Sequence, residues 1–305
     1  MSRILLVDVD STIPNLALMK LSSWHKGQGD QVGFDITDPD KIYASVVFKK
    51  NAHKLDGLKF FYPGAEIIVG GSGIDLKATL PDEVEYIRPD YDLYPGMDYS
   101  LGFTSRGCIR NCYFCIVPRK EGKITRWQHP SEFVIQVKIL DNNWYADPEW
   151  FFETSQWFID HKIAVDITQG MDIRLITPEI AGQLKKLTVY PKMHFAFDDR
   201  SYAESVKSGI EILKAANINV RSDVLFFVYC HNDDQVDDAA ARAEQLREWG
   251  VQAMIMNNID RPRSPRMKNL YRWAMPQIYW TGVPFKDYDA NKKKTAVRKP
   301  GDAHQ

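Results

Sequence analysis

The chain opens on an apolar run, Ile4-Leu5-Leu6-Val7, that stops at Asp8, and this pattern predicts a strand over 3–7. A helical pattern follows over 15–25, then strand patterns over 45–48 and 66–69. Strands that alternate with helical patterns imply a parallel sheet, here in a small Rossmann-like α/β unit. Its last strand runs into Gly70-Gly71-Ser72-Gly73. Such a loop either lets backbone approach a neighbour closely at the carboxyl edge of the sheet or makes a plain turn. Residues 81–95, rich in Asp, Tyr and Pro, read as a linker.

From residue 99 the period changes. Strand patterns recur over 99–104, 137–141, 163–168, 193–198, 223–228 and 252–257, with helical patterns between most of them. One helix starts at Asp147-Pro148, an acidic cap followed by proline at the first position, and places Trp150, Phe151, Thr154, Trp157 and Phe158 on one face. Thr177-Pro178 starts the next in the same way, and the helix over 233–249 ends at Gly250. Repeated strand-helix units with right-handed crossovers close into a barrel or an arc of one, with the active face at the carboxyl ends of the strands. Between the first two strands, Phe133, Ile135, Val137 and Ile139 alternate like a strand, so the first crossover is expected to be abbreviated and one side of the arc open. The expected organisation is α/β, with units at 1–95 and 96–275, an extension at 276–305 and a mobile tail from Lys292.

A length of 305 residues suits two domains, or one large domain with a smaller companion. With 44% hydrophobic and 26% charged residues, the composition is that of a globular rather than a disordered chain. The opening apolar run is too short for a signal peptide or a membrane span, so a cytoplasmic protein with no membrane partner is expected. A net charge of -1 offers no global field for polyanions, so any nucleic-acid binding needs a local patch. The candidate is 261–286, where Arg261, Arg263, Arg266, Lys268, Arg272 and Lys286 interleave with Tyr271, Trp273, Tyr279, Trp280 and Phe285. Such a stretch either grips phosphates and stacks bases or closes the core with its aromatic residues inward; the second reading is favoured.

Three of the four cysteines fall within eight positions, unlike a disulfide framework, which spreads pairs through a small secreted chain. The run Thr104-Ser105-Arg106-Gly107-Cys108-Ile109-Arg110-Asn111-Cys112-Tyr113-Phe114-Cys115 has C-x3-C-x2-C spacing. Three cysteines leave one iron of a four-iron cluster open to a substrate or cofactor. A zinc site completed by His129 is the alternative. Zinc loops favour paired Cys-x-x-Cys knuckles, and Cys112 with Cys115 is the one pair here with that spacing, so iron-sulfur is favoured.

This motif, with Phe114 just before the last cysteine, resembles the radical S-adenosylmethionine superfamily. The resemblance implies a 4Fe-4S cluster on Cys108, Cys112 and Cys115, S-adenosylmethionine chelated at the free iron and cleaved to a 5'-deoxyadenosyl radical, and a partial (β/α)6 TIM-like barrel. It also implies a one-electron donor such as a flavodoxin-like protein. In the family, Phe114 would sit beside adenine. Asp141, Asn142 and Asn143 stand where a Gly-Gly-Glu sequence usually meets the methionine amino group. Asp198, in Phe197-Asp198-Asp199-Arg200-Ser201, takes the acidic place of the ribose-binding segment. Gln169, Asp172 and Arg174 would reach the same mouth, and Arg221 introduces the fifth strand; each has a solvated surface role as its alternative.

The first unit resembles the cobalamin-binding domain fused to one class of these enzymes, through Pro14-Asn15-Leu16-Ala17-Leu18, Gly29-Asp30-Gln31-Val32 and 65–71. It is short and has no Asp-x-His-x-x-Gly motif, and His25 and His53 stand in other contexts, so a vestigial structural role is favoured over cobalamin binding. The stretch from Cys108 to Pro118 with Glu121-Gly122-Lys123 also resembles methylthiotransferases that modify transfer RNA or a ribosomal protein. Those hold a second three-cysteine cluster, for which this sequence has Cys230 alone left. The expected function is radical modification of an unidentified substrate, with cobalamin-dependent radical methyl transfer and nucleic-acid modification or binding as alternatives.

Overall fold

The computed structural model describes residues 1–129, 136–258 and 260–290. Strands β1 (Arg3–Asp8), β2 (Gln31–Gly33), β3 (Lys41–Ser45) and β4 (Glu66–Gly70) form a parallel sheet in the order β2-β1-β3-β4. Helix α1 (Leu16–Gly27) connects β1 to β2, and the Asn15 side chain caps it by accepting the Leu18 amide. Its Leu18, Met19 and Leu21 bury against Ile4 and Leu6 of β1. After β3 the chain carries the four-residue helix α2 (Leu58–Phe61). The stretch expected to be a linker instead packs on this sheet: it contains α3 (Asp82–Glu85), and Val84 and Leu93 complete the apolar cluster.

The strand expected over 45–48 lies earlier, as β3. Beyond Ser45 the amides of Val47 and Phe48 donate to the Asp10 carboxylate at 2.7 and 3.0 Å, so a side chain takes the donors a ladder would need. The glycine loop after β4 meets this same segment. Gly71 has φ +95°, and a Cβ there would lie 2.3 Å from the Val46 carbonyl oxygen. The close approach foreseen for the loop is thus made to the protein's own backbone.

Strands β5 (Ser100–Gly102), β8 (Gln136–Ile139) and β9 (Ala164–Ile167) form a second parallel sheet, and β10 (Met193–Ala196), β11 (Val224–Tyr229) and β12 (Gln252–Met256) a third. Parallel bridges Val165↔Val189 and Met171↔Phe195 link the two. Between β5 and β8 stand the antiparallel pair β6 (Ser105–Arg106) and β7 (Thr125–Arg126) and α4 (Val117–Lys120), the only helix there among the described residues. The alternation at Phe133 and Ile135 and the tail from Lys292 lie outside the described residues.

Helices α5 (Pro148–Asp160), α6 (Pro178–Lys186), α7 (Ala203–Ala215), α8 (Val220–Asp223) and α9 (Val236–Glu248) alternate with the later strands. Asp147 and Thr177 cap α5 and α6 as expected. Val137, Ile139, Val165, Ile167, Phe195, Val224, Phe226 and Val228 share one buried cluster with the apolar faces of these helices. Each such side chain contributes roughly 1.5–3 kcal/mol. The alternate residues, among them Lys138, Asp166, His194, Phe227 and Tyr229, turn to the other face. The structure is therefore mixed α/β with parallel sheets.

The basic-aromatic segment closes the core. In α10 (Pro265–Trp273) and α11 (Pro276–Tyr279), Met267, Leu270, Trp273 and Tyr279 are buried, and Trp273 Nε1 donates to the Val283 carbonyl at 2.8 Å. Among the described residues no helix is long and apolar enough to cross a membrane.

Candidate active site

The three-cysteine loop leaves β6 at the carboxyl end of the β5-β8-β9 sheet, and two buried carboxylates hold it. Asp141, just past β8, accepts four bonds of 2.6–2.7 Å: the amide and hydroxyl of Thr104 and those of Ser105. Burial pushes its carboxyl up to about 6, against the pull of those bonds. Glu121 accepts the Gly107 amide at 3.0 Å, Asn142 Nδ2 at 2.8 Å and Arg106 at 3.2 Å. Burial raises this group, but the Gly107 bond and Arg106 outweigh it and hold Glu121 below the ordinary glutamate range. Gly107 has φ +80°, and a Cβ there would meet the Lys123 carbonyl oxygen at 2.2 Å, so the loop closes on itself only with glycine at this place.

Cys108, Cys112 and Cys115 are unbridged and partly exposed. Burial, and after it the Asp198 carboxylate and the sister thiols, push Cys112 above the ordinary thiol range; burial does the same to Cys115. The amides of Arg110 and Val117 donate to Cys108 Sγ and Cys115 Sγ at 3.4 Å. Among the described residues no three His, Cys, Asp or Glu side chains converge as donors to a single metal ion. His129 lies against the rings of Trp150 and Trp157 and 3.8 Å from Glu153.

The tip of the loop docks on β11. Phe114 stacks on Tyr229 with centroids 4.1 Å apart, Tyr113 bonds Gln235 at 3.1 Å, and Tyr229 bonds His231 Nδ1 at 3.0 Å. Asp198, two residues past β10, accepts the Tyr229 amide at 2.9 Å on Oδ1, and burial pushes it up to about 6. Arg242 of α9 is fully buried and donates to the carbonyls of Phe197 and Tyr229 at 2.6 and 2.8 Å, pinning both strand ends. Asp172 is clasped by Arg110 at 2.5 Å and by Arg174 at 2.7 and 2.9 Å, and those guanidiniums hold it below the ordinary range although burial raises it. Its amide donates to Asn143 Oδ1 at 3.1 Å, while Asn143 Nδ2 is buried with no partner among the described residues.

The structure thus brings Cys108, Cys112, Cys115, Phe114, Asp141, Asn142, Asn143, Asp172, Arg174 and Asp198 to one end of the sheets. Gln169 is exposed nearby, against Thr168 at 3.4 Å. Arg221 is not brought there. It precedes the first residue of β11, at the end opposite Tyr229, and its guanidinium lies 4.2 Å from the Trp280 ring. Sequence reasoning missed Tyr229, Arg110 and Arg242. Arg242 carried a signal, an arginine on the helix face shared with Ala239, Ala243 and Leu246.

No protein-family profile matches the chain. Over 101 residues, 32% of its length, it is 26% identical to the ribosomal protein uS12 methylthiotransferase RimO of Ruegeria pomeroyi, of which the match covers 21%. Over 98 residues, 28% of its length, it is 34% identical to an uncharacterized methyltransferase of Pyrococcus horikoshii, again covering 21% of that protein. The match spans about a fifth of each of these curated relatives. Both are named as group-transferring enzymes.

Proposed function

We propose that the protein is a radical S-adenosylmethionine enzyme in which Cys108, Cys112 and Cys115 hold a 4Fe-4S cluster. The observation that carries this is the loop itself: three unbridged thiols, of which Cys112 and Cys115 are raised by burial and by neighbouring charge, on a segment fixed at both ends by Asp141 and Glu121. Soft, mutually repelling thiols in a half-buried loop suit a cationic iron-sulfur group, and amide bonds to sulfur are a usual support for one. Cluster thiolates each bind a different iron, so they need not converge on a point as zinc ligands must, and the His129 ring is packed on α5. When bound, the cluster supplies one electron to cleave S-adenosylmethionine to a 5'-deoxyadenosyl radical.

The chain's own groups orient the cofactor. Asp198 Oδ2, with no hydrogen-bond partner among the described residues, can accept ribose hydroxyls, Phe114 with Tyr229 offers stacked rings for adenine, and the Asn143 amide, unpartnered among the described residues, suits the methionine carboxylate. Asp141 and Asn142 spend their polar atoms on the loop and act as its positioning residues. In this reading residues 96–275 form a partial (β/α)6 barrel, 276–305 extend it, and 1–95 brace the loop.

The bracing is a chain of charges: Lys20 of α1 reaches Glu85, Glu85 meets Arg106, and Arg106 meets Glu121. The cavity of about 580 Å³ at the carboxyl end of β1 is lined by Asp8, Asp10, Ser11, Phe34, Tyr62 and Tyr94 with apolar neighbours, and no imidazole is among them. The relatives' names favour methyl or methylthio transfer as the outcome. Cys230 is buried, with its thiol pushed up to about 11 by burial, and offers no second three-cysteine set.

Anaerobic reconstitution with iron and sulfide, then mass spectrometry after reduction with S-adenosylmethionine, tests the proposal. About four irons per chain and release of 5'-deoxyadenosine are expected. Zinc in place of iron, or S-adenosylhomocysteine as the sole product, would overturn it.

A further inference from the structure

Below the mouth, the strand face turned away from the helices holds an acceptor that the cofactor site does not use. His194 of β10 is half-buried and stacks on Phe227 of β11, centroids 5.0 Å apart at 12°. Its Nδ1 lies 2.5 Å from the Ile167 carbonyl oxygen. A carbonyl can only accept, so Nδ1 carries the hydrogen, and in the Nδ1–H tautomer the other nitrogen, Nε2, is an acceptor. Nε2 has no hydrogen-bond partner among the described residues.

The surroundings describe what reaches that nitrogen. Phe227 is in register with Met254, and Tyr229 with Met256, so these side chains share the face of His194. Met254 and Met256 are 46% and 38% exposed although they stand on a core strand. They form an uncovered wall of soft, adaptable side chains. Gly170 packs closely beside it: a Cβ there would lie 2.9 Å from the Phe227 ring. Two ionic groups on this face, Lys138 and Asp166, are 2.5 Å apart and satisfy each other, with the Tyr99 ring 5.0 Å from the lysine. The wall is thus flat, apolar and polarisable, with an acceptor at its inner edge.

We infer that His194 is a substrate-binding residue: its Nε2 receives an N–H from a planar heteroaromatic group that rests on Phe227, Met254 and Met256. Calling that group the substrate rests on the function proposed above; the binding itself does not.

The test is nuclear magnetic resonance on the full chain with labelled histidine nitrogens and methionine methyls, using indole and 1-methylindole as probes. Indole carries the donor and 1-methylindole lacks it. The unliganded His194 ring should show a protonated Nδ1 and a bare Nε2. Indole should shift the Met254 and Met256 methyls and Nε2 together, and 1-methylindole should bind roughly three- to tenfold more weakly, the worth of one neutral hydrogen bond. His194→Gln, which keeps an acceptor, should retain the preference, and His194→Phe should abolish it. A protonated Nε2, equal affinity of the parent for both probes, or no binding of either at millimolar concentration would overturn the inference. Neither cluster nor S-adenosylmethionine is needed, so failure here is separable from failure of the radical chemistry.

Discussion

Replacing Arg242 with methionine is the sharpest test of how the site is held. The guanidinium is 1% exposed and donates to the Phe197 carbonyl at 2.6 Å, the Tyr229 carbonyl at 2.8 Å and Asp238 at 2.8 Å. Methionine fills much of the same volume, so the loss is chiefly of bonds. Asp238 is 41% exposed and can turn to water, but the carbonyls cannot. Each buried carbonyl left without a donor costs roughly 1–3 kcal/mol, or about 2–6 kcal/mol for the pair. Relief from burying a guanidinium offsets part of this, leaving about 2–4 kcal/mol. At about 2–3 °C per kcal/mol for a chain of this size, the melting temperature should fall by roughly 4–12 °C. The freed strand ends carry Asp198 and Tyr229, so affinity for S-adenosylmethionine should fall as well, while Cys108, Cys112 and Cys115 retain iron. Thermal unfolding by circular dichroism, equilibrium binding and iron analysis on one preparation measure all three. A variant that melts within 1 °C of the parent would refute the assignment of Arg242 as the clamp on β10 and β11.

Alanine at Cys108, Cys112 or Cys115 should abolish iron binding on reconstitution, whereas Cys230→Ala should leave it unchanged; iron analysis of the four proteins decides. Asp198→Ala should weaken S-adenosylmethionine binding by roughly ten- to hundredfold with iron retained, since a bond to a charged group is worth about 1.5–3 kcal/mol; unchanged affinity would place the ribose elsewhere. For Asp141, burial raises the folded value to about 6 from 3.8, so the folded state keeps a proton that the unfolded chain releases. The stability this contributes is full below the unfolded value and is lost as pH rises through about 6. Urea unfolding of Asp141→Asn should therefore vary less than the parent between about pH 4 and 6, and parallel curves would contradict the burial of the charge.

Much of the fold was legible because periodicity is local. Alternation located the six parallel strands after residue 99 to within a few residues but not the short antiparallel pair β6 and β7, and Asp147-Pro148 and Thr177-Pro178 marked two helix starts. Where it failed, a side chain had taken over a backbone role: Asp10 took the amides of Val47 and Phe48 and ended β3 early. The stretch 81–95 has the composition of a linker, and nothing local announces that Val84 and Leu93 fit the surface of α1.

The candidate chemistry divides along the same line. The three cysteines were visible because a loop within eight positions must keep its thiols together whatever the rest of the chain does. The groups around them were not, because each contact joins distant residues: Arg110 meets Asp172 62 positions on, and Tyr113 meets Gln235 122 positions on. Position in a strand told which face Tyr229 would take, but not that Phe114 would stack on it. A hydrophobic or charged pattern encodes burial and sign, and the partner is chosen by the packing of strands and helices in three dimensions. By itself, then, the sequence determined the parallel α/β elements and the clustered thiols, while tertiary structure decided which carboxylates hold the loop, which ring faces Phe114, and that Arg221 stands at the far end of β11.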